Sequence, residues 1–78
     1  MTNAAVPLRS TEEVARTIGN NIQAALKERG HDLTWLAGEI GIGPHTILRH
    51  FGSEVPSWLI LEASYYLEVA PDSLVEAR

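Results

Sequence analysis

Residues 33–51 read LTWLAGEIGIGPHTILRHF, and two short helices can be parsed from them. Asp32, one residue upstream, suits the N-cap of the first, because its side-chain oxygen can accept a free N–H of the opening turn. Leu36, Ala37 and Ile40 are the inward positions of that helix. Gly41 closes it, allowing the positive φ of a turn. The stretch Gly41-Ile42-Gly43-Pro44 is too short to hold structure of its own. Gly43 caps a second helix and Pro44 starts it, since the missing proline N–H would be unpaired in a first turn anyway. Two short helices joined by three or four residues that include glycine form a helix-turn-helix arrangement.

Upstream, Ser10 and Glu13 have the S-x-x-E spacing of a capping box, which begins a long helix. Val14, Ile18, Ile22, Ala25 and Leu26 recur at three- and four-residue steps as one apolar stripe, with Arg16, Asn20, Gln23 and Lys27 on the opposite face. Gly30 ends this helix. Residues 1–9 lack periodicity and contain Pro7, so a mobile arm is expected there, with the domain over 10–78. Downstream, Gly52 and Pro56 separate a fourth helix, about 57–69, whose stripe is Ile60, Ala63, Ser64 and Leu67. A last turn or two begins at Pro71 and runs through Asp72, Leu74 and Val75. No strand-like alternation and no internal repeat occurs. The expected fold is an all-α compact bundle of about five short helices.

The chain has 78 residues, enough for one domain. It has no cysteine, which removes disulfides and thiolate metal sites and fits a reducing, cytoplasmic setting. Its longest apolar run, Trp58-Leu59-Ile60-Leu61, is too short for a membrane span or a signal-peptide core. An enzyme is not expected, because a chain this short hardly encloses a cleft and nothing arranges Ser, His and Asp as a triad. Gly41-Ile42-Gly43 follows no strand and has Thr46 where a dinucleotide loop has its third glycine. His45 and His50 stand five apart with no third ligand, so no metal or cofactor is expected. Ten acidic side chains oppose six basic ones, for a net charge of −4. Residues 1–53 are balanced, and the whole excess lies in 54–78, where Glu54, Glu62, Glu68, Asp72 and Glu76 face only Arg78. An anionic partner should meet the first two-thirds of the chain.

The 33–51 stretch resembles the helix-turn-helix of the phage Cro and lambda-type repressor family, the Xre-like transcriptional regulators. The matching features are Leu36-Ala37, Gly41, Ile42 and Ile47. Ala37 is small where the helices cross, and Leu36, Ile40, Ile42 and Ile47 fill the wedge between them. The likeness runs over about residues 17–76, taking in Ile18-Gly19, Ile22 and the closing segment from Leu67 to Leu74. It implies a lambda-repressor-like bundle and a sequence-specific regulator, phage or prophage encoded, acting on operator DNA as a homodimer without a small-molecule ligand. In that family the helix after the turn enters the major groove N-terminus first, while the preceding helix lies across the backbone. Position by position, Pro44, His45, Thr46, Leu48 and Arg49 would face the groove, with Arg49 suited to guanine O6 and N7. Asp32 and Leu33 would open the phosphate-facing helix, and Arg9 could reach a minor groove. His50 occupies an inward position and reads as a packing histidine.

The chain departs from the family at several phosphate anchors. Leu33 stands where glutamine is common, and Gln23 and Leu26 replace arginines. These departures, with the acidic balance, support an alternative: a protein-interaction module that kept the fold and lost DNA. Helix four also carries more apolar residues than one stripe can bury. Of Trp58, Leu59, Leu61, Tyr65 and Tyr66, a self-complementary dimer patch is expected to use Trp58, Leu59, Tyr65 and Tyr66, and Trp58 and Leu61 could instead pack under the arm or the final turn.

Overall fold

Each helix in this chain starts and stops on local chemistry. The computed structural model describes residues 10–77; the expected arm 1–9, Arg9 within it, and Arg78 lie outside them. α1 (Thr11–Glu28) opens on the capping box: Glu13 N–H donates to Ser10 Oγ at 3.0 Å, and Ser10 N–H donates to Glu13 Oε1 at 3.1 Å. It closes on Gly30, at φ 74°. There the His31 N–H reaches the Leu26 carbonyl at 2.9 Å and the Gly30 N–H the Lys27 carbonyl at 3.1 Å. That bond pair defines a Schellman motif, which requires a left-handed residue at its corner.

α2 (Leu33–Ile40) is capped by Asp32, whose Oδ1 accepts the Trp35 N–H at 2.9 Å. Gly41, at φ 92°, turns the chain so that its own N–H and that of Ile42 both donate to the Ala37 carbonyl. α3 (Pro44–Phe51) follows, with Gly43 as N-cap and Pro44 in the first turn. α4 (Ser57–Leu67) stops two residues before the sequence-based expectation of 69. Glu68 takes the left-handed conformation, φ 58° and ψ 45°, and the Val69 N–H bends back to the Ser64 carbonyl at 3.1 Å. α5 (Pro71–Val75) completes an all-α bundle of five helices among the described residues.

α1 is the axis of the bundle and packs on α3, α4 and α5, while α2 packs on α3 and α4. The core is continuous: Ile18, Ile22, Ala25 and Leu26 of α1 meet Leu36 and Ala37 of α2, Ile47 and Phe51 of α3, Leu59, Ala63 and Leu67 of α4, and Leu74 of α5. Gly19 lets α1 and α3 approach. A Cβ there would stand 2.8 Å from Phe51 Cγ, inside any van der Waals contact. Leu36, Ala37 and Ile47 are buried as the wedge between α2 and α3, with Ile40 and Ile42 partly buried beside them.

Four expectations are corrected. Val14 is exposed, and Ala15 takes the inward position in that turn. In α4 the buried residues are Leu59, Ala63, Ser64 and Leu67, with Ile60 only partly covered. Leu59 is 0% exposed and so cannot belong to a dimer patch. Ala63, Ser64 and Leu67 keep their expected inward places, and only the place of Ile60 passes to Leu59, because α4 must face α1, α2 and α5 at once. Trp58 and Leu61 are exposed and do not pack under the final turn.

Asn21 is a polar side chain that reaches far across the core. It is buried, and its Nδ2 donates to the Leu74 carbonyl at 2.9 Å and the Glu76 carbonyl at 2.7 Å. A helix of five residues leaves most of its carbonyls without internal partners. Asn21 supplies a donor to one of them, at Leu74, and to the C-cap carbonyl of Glu76, and so ties α5 to α1.

Candidate nucleic-acid interface

α3 buries one side and presents the other. Ile47 and Phe51, four apart, point into the core. His45, Leu48, Arg49 and Gly52 are exposed, at the i, i+3, i+4, i+7 spacing that lines one helix face. Arg49 makes no ion pair among the described residues, neither with Glu54 nor with any other carboxylate; Arg29 pairs with Glu28 there at 3.9 Å. The His45 ring lies over the helix start, 3.2 Å from where a Gly43 Cβ would be. Pro44 and Thr46 are partly buried at the same end. Leu48 is 50% exposed, an apolar group on an otherwise polar face.

His50 turns away from that face. It is partly buried, its Nδ1 lies 3.2 Å from the Glu54 carbonyl, and its ring meets Trp58 edge-on at 5.9 Å. Since a carbonyl can only accept, the proton sits on Nδ1. This is a packing histidine that locks the end of α3 onto the start of α4.

The opening of α2 differs in character. Asp32 is exposed and spends its carboxylate on the Trp35 N–H, so a negative charge already complements the positive end of the helix dipole. Leu33 is partly buried against the core. Between this point and α1 runs a shallow groove of about 330 Å³, lined by Gln23, Ala24, Leu26 and Lys27 on one side and His31, Asp32 and Leu33 on the other. His31 stacks flat on Trp35, with ring centroids 3.8 Å apart and planes within 8°. Their i, i+4 spacing was the available signal for that contact, which periodicity in apolar residues alone does not pick out. Arg16, Asn20, Gln23 and Lys27 form the exposed strip of α1, as their spacing predicts.

The expected site residues thus fall into separate groups. Pro44, His45, Thr46, Leu48 and Arg49 share the presented end and face of α3. Asp32 and Leu33 sit at the α2 opening, and Trp58 and Tyr65 stand exposed on α4 with Tyr66 partly buried beside them. Among the described residues no group of three His, Cys, Asp or Glu side chains is placed to hold a metal, and no helix is long and apolar enough to cross a membrane. Comparison of the chain with protein-family models, with curated proteins and with solved structures found no match.

Proposed function

We propose that the protein is a sequence-specific DNA-binding regulator of the Cro type, phage or prophage encoded and acting in the cytoplasm of a bacterial host. The observation that carries this reading is the unengaged polar face of α3, with His45 and Arg49 presented to solvent on a helix that α2 wedges outward through Leu36, Ala37 and Ile47. In such a regulator α3 enters the major groove with its Pro44 end leading. Arg49 donates its paired N–H groups to guanine O6 and N7, Leu48 meets a thymine methyl, and His45 and Thr46 reach a base edge or phosphate. Two copies occupy a roughly palindromic operator with half-sites about 34–36 Å apart, and repression follows from occluding polymerase.

The test is a gel-shift titration on fragments selected from genomic DNA. Arg49→Ala should cost about 1–3 kcal/mol and relax base preference at one position. Unchanged affinity and preference would remove Arg49 from the role. Even counting Arg9, Arg16, Lys27 and the base-reading Arg49 of each copy, two copies release at most about eight counterions, and the slope of log K on log salt is no steeper than about −7.

A second reading, a protein-interaction module without DNA affinity, is favoured by the α2 opening. The Asp32 carboxylate opposes a phosphate there, and Leu33 cannot hydrogen-bond one. Titration with random-sequence duplex at about 50 mM salt, where non-specific binding is strong, separates the two: complete absence of binding supports the module.

A further inference from the structure

Among the described residues, α4 carries one face that no other element covers. At about 100° per residue, Trp58, Leu61 and Tyr65 fall within an arc of about 60°, on the side away from Leu59, Ala63 and Leu67. They are 45%, 57% and 75% exposed. Their rings are held in place: Trp58 edge-on to His50 at 5.9 Å, and Tyr65 edge-on to Tyr66 at 5.0 Å. A partner therefore meets aromatic groups already oriented, which lowers the ordering cost of binding. Carboxylates rim the strip, Glu62 on one flank, Glu68 on the other and Glu54 just ahead of the helix, all exposed and none in an ion pair among the described residues.

Charge and area together select the occupant. DNA is repelled by this end of the molecule. A second copy docked on this face across a two-fold axis would bring the same carboxylate rim against itself, like charge on like. The three side chains expose on the order of 350 Å² of apolar area, short of the roughly 450–520 Å² that is apolar in a stable interface of about 800 Å² per partner, and about what one short helix covers. We propose that this face docks a cationic amphipathic helical segment of another protein. Its apolar side packs on Leu61 and the two rings, and its lysines or arginines meet the Trp58 and Tyr65 ring faces and the carboxylate rim.

This inference goes beyond DNA recognition and does not depend on it. The test uses the full chain, fluorescence anisotropy, and three labelled 15-residue peptides: leucine and lysine at helical spacing, the same composition scrambled, and glutamate in place of lysine. The first should bind at about 50 mM salt with a Kd in the tens of micromolar, at least tenfold tighter than the other two. Tyr65→Ala and Glu62→Lys, both at exposed positions, should each weaken it fivefold or more with unchanged melting, while Arg49→Ala leaves it untouched. Equal binding of the scrambled peptide, or no binding of any, overturns the proposal. So does a dimer in sedimentation that Leu61→Glu dissolves, which gives the face to a second copy. A tenfold gain in peptide affinity in a Val6→Asp, Leu8→Asp variant also overturns it, giving the face to the chain's own first residues.

Discussion

Replacing Asn21 by alanine should remove more stability than any surface change in this domain. The side chain is buried and gives both Nδ2 hydrogens away, one to the Leu74 carbonyl at 2.9 Å and one to the Glu76 carbonyl at 2.7 Å. Each bond contributes about 0.5–1.5 kcal/mol net, and a buried carbonyl left without a donor costs about 1–3 kcal/mol. Leu74 is buried and Glu76 exposed, so water can replace the donor at Glu76 but not at Leu74. The total comes to about 2–3 kcal/mol, against an expected stability on the order of 4–12 kcal/mol for a chain of this length. In a domain of this size that lowers Tm by about 10–20 °C. Urea and thermal unfolding followed by circular dichroism measure it. Asn21→Asp should be at least as damaging, because it turns a carboxylate toward two acceptors. A loss below about 0.5 kcal/mol in Asn21→Ala, with native helix content, would refute the idea that this side chain ties α5 to the bundle.

Two further changes test the packing and the caps. Gly19→Ala puts a methyl 2.8 Å from Phe51 Cγ, and pushing α3 off α1 should cost about 1–3 kcal/mol in urea unfolding; a neutral result would mean that the Phe51 ring can move aside. Glu68→Gly should do the opposite. Glu68 sits at φ 58°, where a side chain is strained by about 1–2 kcal/mol, and its charge opposes the negative end of α4. Even after the entropy cost of glycine, a gain of about 0.5–1 kcal/mol and a Tm higher by about 3–8 °C are expected. An unchanged or lower Tm in scanning calorimetry would rule out that strain.

What could be read from the sequence was what short-range chemistry decides. Ser10 with Glu13, Asp32, Gly30, Gly41 and the Gly43-Pro44 pair act over four residues or fewer, and each starts or stops a helix where its chemistry says it should. The exposed face of α3 was expected only from the family resemblance, and the burial of Ile47 and Phe51 now fixes its phase. In α4 reading an apolar stripe fails. Eight of the eleven residues in SWLILEASYYL are apolar, so nearly every rotation offers an apolar stripe, and only simultaneous contact with α1, α2 and α5 selects Leu59 over Ile60. Asn21 was hidden differently. A polar residue at an inward position looks like a flaw in the stripe until the carbonyls of α5, more than fifty residues away, are brought beside it.

The same uneven charge underlies both proposed surfaces. A polyanion repels the part of the chain that carries the net −4 and not the neutral, histidine-bearing part, so on the proposed reading a duplex would meet the molecule with α4 turned away from it. α3 and α4 still meet at one joint, where His50 bonds the Glu54 carbonyl and abuts Trp58. The joint involves neither Arg49 nor Tyr65, so each surface can be altered without removing the contact that holds the two helices together. Independent loss of DNA affinity in Arg49→Ala and of peptide affinity in Tyr65→Ala is what that separation requires.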